Sequence, residues 1–288
     1  MIRNYENYKQ ISKYILKADV ILIGAGAGLS EAAGLSYSGD RFTKNFSDFI
    51  DVYHFQDMYT AGFYPFDSLE SYWGYWSKHI YHNRIEPLVG EPYKNLLSLI
   101  SNKKHFVITT NVDHQFQKAG FLQDNIFQVQ GDYGLIQCST PCHDKTYPNE
   151  ELVIEMVAKQ QNLKIPTTLI PYCPKCGEPM SVNLRIDNSF VEDRVWDKSA
   201  QKYQLFLEEN LGKKLLLLEL GVGYNTPVII KYPFREIVAK IENVKYICFN
   251  NKFENFADNI KENSIFVQED INQSLIEIVN YSKVYRDE

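Results

Sequence analysis

Asp19-Val20-Ile21-Leu22-Ile23-Gly24-Ala25-Gly26-Ala27-Gly28 is the stretch whose reading decides the fold. A short apolar run of strand type delivers the chain into a turn almost without side chains. Glycine lets a backbone take positive φ and come close to a pyrophosphate. Ser30 to Gly34 is composed like the first turn of a helix, whose free N–H groups favour an anion. The motif alone is of moderate specificity. A dehydrogenase fingerprint wants Gly or Ala where this chain has Leu29, and an acidic residue ending a second strand about 20 residues later. Arg41 to Tyr75 follows instead, aromatic and non-alternating, reading as helices and loops. A tight strand-to-helix turn with no ligand is the alternative at this point.

Outward from that turn, three further apolar segments read as core strands: His105 to Thr109, Lys214 to Leu220 and Val244 to Phe249. Each precedes a polar or glycine-bearing turn. They alternate with helical stretches, Glu91 to Ser101, Pro227 to Lys240 and Ile271 to Ser282, in the pattern of a parallel sheet covered on both faces. Ligands gather at the carboxyl ends of such strands. That rule selects Gly24 to Gly28, Thr110-Asn111-Val112-Asp113, Gly221-Val222-Gly223 and Asn250-Asn251 as one candidate site. The chain shows no internal repeat, low-complexity tract or long linker.

A chain of 288 residues with 44% hydrophobic content can bury a full core, which argues against disorder and suits one large domain or a domain with an inserted module. The first residues, Met1 to Asn7, carry charge where a signal peptide needs an apolar core. The strongest apolar run, Leu215 to Leu220, is too short to span a bilayer. The expectation is a cytoplasmic protein that does not bind membrane. A net charge of −6 argues against nucleic acid, whose phosphates call for clustered Lys and Arg. The Tyr and Phe crowded between Phe42 and Tyr81 could line a cofactor pocket, but packing of a small helical cluster is the simpler explanation.

Between Gln130 and Asp187 the pattern breaks. Cys138-x3-Cys142 and Cys173-x2-Cys176 are close pairs 30 residues apart, the second in the tight turn Cys173-Pro174-Lys175-Cys176-Gly177. Four thiolates so spaced suit a closed tetrahedral zinc, and a chain without an export signal should not rely on disulfides. A disulfide or free thiols are the alternative. His143 could substitute as a ligand, although with four cysteines present a surface role is simpler. Cys248, in an apolar strand, reads as a small buried hydrophobe. Within the module Glu150 to Gln161 has a helical pattern, and Leu163 to Pro171 reads as extended.

The glycine turn, Thr109-Thr110-Asn111-Val112-Asp113, Gln130-Gly131, the two cysteine pairs, Gly221-Val222-Gly223-Tyr224-Asn225-Thr226-Pro227 and Asn250 fall in the order and spacing of the sirtuins. The resemblance covers nearly the whole chain. It implies a Rossmann-like, doubly wound parallel sheet with an inserted small zinc-binding and helical module: residues 1–41, 86–131 and 205–288 as the NAD-binding domain, 42–85 as the helical part and 132–204 as the zinc part of the module. It also implies cleavage of the nicotinamide–ribose bond of NAD. Gly24, Ala25, Gly26 and Gly28 stand at the family's phosphate-binding turn. Gly34-Leu35-Ser36-Tyr37-Ser38-Gly39-Asp40-Arg41-Phe42 stands at its flexible cofactor loop, whose usual Gly-Ile-Pro-Asp-Phe-Arg survives only in part, which puts Leu35, Tyr37, Arg41 and Phe42 beside NAD. Asn111, Val112 and Asp113 resemble its Gln-Asn-Ile-Asp, with Thr110 in place of Gln. Gly221, Val222 and Gly223 resemble its Gly-Thr-Ser turn, and Asn250, with Asn251 after it, the Asn that holds the adenosine ribose. Asp270 and Ile271 fall where the family's chain closes over the adenine.

Two departures bear on the activity. The sirtuin base is a His followed by Gly, and this chain has Gln130-Gly131. Deacylation needs a base to take a proton from a ribose hydroxyl, and an amide has no usable pKa. The second lies at Val182 to Asp187, where deacylases carry a Phe-Gly-Glu strand that pairs with the acyl-lysine peptide. Both changes fall on the acyl half of the chemistry and leave the NAD half intact. ADP-ribosyl transfer tolerates that pattern, because an acceptor already ionised at neutral pH needs no base to attack a cationic anomeric carbon. Asn111, Asp113 and Gln130 are then the expected catalytic residues. The Gln-for-His pattern, with Gly-Ala-Gly-Ala-Gly-Leu-Ser and Tyr-Ser-Gly, resembles the microbial macrodomain-linked class M sirtuins. That likeness implies a lipoyl-carrier acceptor related to the glycine cleavage H protein, and a macrodomain protein that reverses the modification. The alternatives are a deacylase using His114, a non-catalytic NAD sensor and an NAD hydrolase. His114 itself reads more simply as a helix-start residue facing away.

Overall fold

A computed structural model describes residues 2–284, with side chains described for 5–283. Its strands are β1 Val20–Ala25, β2 Lys104–Thr109, β3 Ile126–Gln128, β4 Gly131–Cys138, β5 Thr146–Pro148, β6 Met180–Leu184, β7 Leu215–Leu220, β8 Val244–Phe249 and β9 Ser264–Val267. Six form one parallel sheet in the order β3-β2-β1-β7-β8-β9. The chain winds outward from β1 one way through β2 and β3 and the other way through β7, β8 and β9. The winding therefore reverses between β1 and β7, where open parallel sheets place their ligands.

Why the central strands are continuously apolar follows from coverage on both faces. Every residue of β1 and of β7 is buried. Alternate side chains go to opposite sides. Ile21, Ile23, Leu216, Leu218 and Ile247 pack with Ile11, Leu96 and Leu275 of the helices Ile2–Lys17, Glu91–Ile100 and Ile271–Val284. Val20, Leu22, Leu215, Leu217 and Tyr246 pack with Phe206 and Phe234 of the helices Arg194–Asn210 and Lys231–Lys240. Each fully buried Leu or Ile contributes roughly 1.5–3 kcal/mol relative to exposure.

A separate core joins the helical segment to a small antiparallel sheet, β5-β4-β6. Phe42, Phe46, Phe49, Phe55, Trp73, Tyr75 and Trp76 pack there against Tyr133, Ile136, Met156 and Val182. The aromatic crowding between Phe42 and Tyr81 is thus chiefly core packing.

Several local expectations shift. β1 runs on through Gly24 and Ala25, and the next helix already starts at Ala27 rather than Ser30, so the turn contracts to Gly26. The helix expected from Pro227 starts at Lys231. Leu163 to Pro171 contains a single 3-10 turn, Thr167–Leu169, instead of running fully extended. Among the described residues, no helix is long and apolar enough to cross a membrane.

Candidate active site

The parallel register carries four segments to one edge. Thr110 donates its N–H to the Ala25 carbonyl at 3.1 Å, Gly26 to Leu220 at 3.0 Å, Gly221 to Phe249 at 2.9 Å and Asn250 to Val267 at 3.1 Å. The turns after β1, β2, β7 and β8 are therefore laced side by side, and the scattered expected residues meet there.

The two glycine turns seal against each other. A Cβ on Gly26 would lie 2.8 Å from the Gly221 carbonyl oxygen, and one on Gly28 would lie 2.7 Å from the Gly221 Cα. Gly221 itself sits at φ +64°, a conformation that disfavours side chains. Gly26 and Gly28 thus make room for backbone, and the Gly28 N–H is already given to the Gly221 carbonyl at 2.9 Å. A Cβ on Gly223 would meet nothing within 4 Å, so the open approach lies there.

Asn111 and Asp113 anchor the turn after β2. Asn111 is buried and donates through Nδ2 to the Gly26 carbonyl at 3.0 Å and to the Tyr93 hydroxyl at 3.3 Å. The buried Asp113 carboxylate accepts from the Ser30 hydroxyl and, at 3.0 Å, from the Gln115 N–H. Ser30 and Tyr93 hydroxyls lie 3.1 Å apart and close the network. Burial raises the Asp113 carboxyl above its ordinary range, although the Ser30 and Gln115 bonds work the other way. Val112 presents its carbonyl to the Tyr133 N–H at 3.1 Å.

Gln130 lies half-buried in the turn between β3 and β4. Its carbonyl accepts from the Arg185 N–H at 3.1 Å, at the end of β6, and Gly131 takes φ +95° with Asn183 too close for any Cβ. Two residues on, Asp132 accepts from Arg84 Nε at 2.6 Å and from the Gly134 N–H at 2.6 Å, and its Oδ2 lies 3.0 Å from His114 Nδ1. Burial alone would raise the Asp132 carboxyl, but His114 and Arg84 hold it below the usual range. His114 therefore does not face away, as expected of it, but turns toward the residues next to Gln130.

The segment 34–42 is fixed to the helical part. Arg41 donates to the Ser36 carbonyl at 3.0 Å and to Asn83 Oδ1 at 2.8 Å. Asn83 is buried in the π-helix Tyr81–Ile85, a local widening of the helix frequent at functional sites. Leu35 and Phe42 are buried, Phe42 stacked on Phe46 with ring centroids 5.7 Å apart. Phe42 thus serves the aromatic core.

On the β7 and β8 side, Asn250 is buried and donates from Nδ2 to the Val222 carbonyl at 3.0 Å, while Asn251 is exposed. Val222 is buried in the core behind. Asp270 accepts the Gln273 N–H at the start of the last helix, and Ile271 points into the core. Beneath the turn, Glu219 and Glu254 bind the fully buried Lys231 at 2.6 and 2.9 Å, and Glu254 also accepts from the Tyr224 hydroxyl at 2.6 Å. Burial works against charge on Lys231, but the two glutamates outweigh it. Cys248, read as a plain small hydrophobe, lies 3.3 Å from Glu219 in this cluster.

The four cysteine sulfurs lie within 4.8 Å of one another. Cys138 to Cys176 is 3.5 Å and Cys142 to Cys173 is 3.6 Å. Tetrahedral zinc with Zn–S of about 2.3 Å puts sulfurs about 3.8 Å apart, so the cluster fits one structural zinc held by Cys138, Cys142, Cys173 and Cys176. A zinc with four thiolates keeps no open position and serves the fold of the module. His143, expected at the surface, is half-buried with Nδ1 3.0 Å from Cys142 Sγ and Nε2 2.9 Å from the Tyr147 hydroxyl.

A reversing parallel sheet, facing glycine turns at its carboxyl edge and a four-cysteine module define a sirtuin fold. Solved structures agree: a Sir2 homologue in complex with NAD superposes at TM-score 0.60 over 96% of this chain and 94% of its own, at 15% identity. A Sir2 homologue mutant bound to 2'-O-acetyl ADP ribose gives TM-score 0.61 over 96% of both chains, also at 15% identity. No family model matches the chain. It is 43% identical over 256 residues, 88% of its length, to the protein ADP-ribosyltransferase of Staphylococcus aureus strain Mu50, covering 81% of that protein. A Fusarium oxysporum protein named a probable bifunctional ADP-ribose hydrolase/ADP-ribosyltransferase is 32% identical over 79% of this chain, which spans 39% of that longer protein. The chain belongs to the sirtuin family.

Proposed function

We propose that the chain is an NAD-dependent protein ADP-ribosyltransferase, acting on a lipoylated carrier related to the glycine cleavage H protein and opposed by a macrodomain hydrolase. The observation that carries the transferase reading is Gln130: the turn beside Asn111 and Asp113 offers an amide where deacylation needs a base. The name of the staphylococcal relative supports it.

Bound NAD supplies the ADP-ribosyl group, with nicotinamide as leaving group. Asn111, its Nδ2 held by Gly26 and Tyr93, keeps its amide oxygen for orienting a substrate group. Gln130 orients the ribose and the acceptor by hydrogen bonding and moves no proton. Asp113, engaged with Ser30 and Gln115, fixes the loop rather than touching the anomeric carbon. An acceptor carboxylate or other ionised group then attacks unaided.

A second reading, lysine deacylation with His114 as base, draws on the His114–Asp132 pair at 3.0 Å, since a carboxylate on Nδ1 leaves Nε2 to accept a proton. NAD labelled in its adenylate half separates the readings. Label in protein supports the transferase, O-acyl-ADP-ribose the deacylase, and free ADP-ribose a hydrolase. Gln130→Ala should lower transfer by roughly 10²-fold with the fold intact, as loss of one oriented hydrogen-bonding group does elsewhere. The unmodified chain should show no acidic limb near the His pKa of about 6.5. Equal labelling of lipoylated and unlipoylated carrier would sink the acceptor assignment alone.

A further inference from the structure

Buried beneath the cofactor-loop segment is a chain of hydroxyls and one imidazole whose protons can be placed by counting. The Met58 carbonyl has no proton, so the Tyr75 hydroxyl donates to it at 2.6 Å. That spends the one proton of Tyr75, so at 3.1 Å it accepts from His79 Nδ1. His79 is 1% exposed, and burial lowers its pKa to about 3, so the ring is neutral and Nε2 is bare. Tyr133, 2.9 Å from that nitrogen, must donate to it. With its own proton spent, Tyr133 accepts from the Tyr37 hydroxyl at 2.7 Å. The circuit closes on the backbone, because Met58 returns its N–H to the Tyr37 carbonyl at 2.9 Å.

Tyr133 is the hub of this circuit. Besides its hydroxyl bonds, its N–H goes to the Val112 carbonyl at 3.1 Å and its carbonyl takes the Asn149 amide at 2.9 Å. One residue therefore touches the segment bearing Tyr37, the turn bearing Asn111 and Asp113, and the helix bearing His79. The same helix supports the segment a second time, since its His79 carbonyl accepts from Asn83 Nδ2 at 2.9 Å and Asn83 accepts from Arg41.

We infer that His79, in its Nδ1–H tautomer, is a positioning residue that acts through Tyr133 to hold Tyr37 and the segment 34–42 against the turn after β2. The proposal rests on the reading of residues 34–42 as the loop that contacts NAD. A neutral imidazole suits the task because it donates on one side and accepts on the other, so the chain of bonds runs one way with no group unpaired. A tyrosine or serine in its place could not span the distance with both roles.

The test combines backbone amide exchange over residues 34–42 with steady-state kinetics in NAD. Tyr133→Phe removes the hub hydroxyl without changing the ring, and Tyr37→Phe removes the last one. Each should speed exchange across 34–42 by about three- to tenfold, the effect of one hydrogen bond. Each should raise KM for NAD, and Tyr133→Phe, whose hydroxyl lies behind the loop, should leave kcat within about twofold. The double variant should be no worse than Tyr133→Phe, because both changes cut one chain. His79→Gln, whose amide oxygen can accept from Tyr133, should restore more order than His79→Ala. Unchanged exchange over 34–42 in Tyr37→Phe, which lies half-buried and loses only the terminal bond, overturns the proposal even if Tyr133→Phe fails to fold. Additive effects in the double variant also overturn it. If the exchange effects appear but the intact chain does not bind NAD, the reading of the loop fails and the strut stands.

Discussion

Asn111 Nδ2 lies 3.0 Å from the Gly26 carbonyl, so the turn after β2 is tied to the turn after β1 by a side chain. The bond fixes the amide's orientation, because only its NH2 side can donate to a carbonyl and the oxygen must face the other way. Asn111→Asp should therefore be worse than Asn111→Ala. A carboxylate would set negative charge against the Gly26 carbonyl oxygen, which has no proton to give, whereas the Tyr93 hydroxyl could turn and donate. Alanine should cost about 1–3 kcal/mol of stability, the penalty for stranding a buried partner, and aspartate more. Denaturant midpoints of the two variants at pH 7 check the order, and turnover should be lost in both.

Asp113 is expected to weaken the fold at neutral pH. Burial raises its pKa above the unfolded value of about 3.9, so the folded chain holds the proton to higher pH than the unfolded chain does. Its stabilising contribution is full below the unfolded pKa and is lost as pH rises through the folded one. Asp113→Asn removes that loss. The stability difference, variant minus unmodified chain, should grow more positive from pH 4 to pH 7, while activity falls because Ser30 and Gln115 are held less well. A difference that does not change with pH would show that Asp113 titrates as an ordinary carboxyl.

Removing zinc should unfold the small module and spare the sheet. The cluster closes β4 and the turn 173–177 onto one another, with Cys173 giving its carbonyl to the Gly177 N–H at 2.9 Å. Cys138→Ser, at a buried position, should lower metal content and the melting temperature. Near-UV circular dichroism should drop with a chelator, since three tryptophan and many tyrosine rings lie in the chain and Trp73 and Trp76 share the module's core. A chain with no bound metal and unchanged melting in the serine variant would refute the zinc assignment.

The sheet was legible where burial on both faces forced apolar runs, as in β1, β2, β7 and β8. It was not legible in β3, only three residues long, or in the largely polar helix Arg194–Asn210, which needs an apolar stripe on one side only. The cysteine cluster could be read because its ligands come in close pairs. The partners of the site residues could not. Ser30 meets Tyr93 across 63 positions and Asp113 across 83, and no local pattern of charge or hydrophobicity marks such pairs. His79 and Tyr133 looked like any residues of an aromatic core. Gln130 stood out only against the residue that the sirtuin resemblance led one to expect there.

The glycines offer the last test, and they correct a natural choice of mutation. Gly26→Val looks like a direct probe of the pyrophosphate site, yet its side chain would strike the Gly221 backbone, which cannot swing aside as a flexible side chain does. Loss of NAD binding in that variant would report broken packing between β1 and β7. Gly223 differs, since a Cβ there meets nothing within 4 Å and its φ is not in the positive range. Gly223→Val should leave the melting temperature within about 2 °C, as a surface change of under ~0.5 kcal/mol would. If NAD lies across the carboxyl ends of β1, β2, β7 and β8, the branched side chain should weaken its binding by about tenfold or more, measured by calorimetry on the folded variant. Unchanged affinity in a folded Gly223→Val chain would move the nucleotide away from this edge of the sheet.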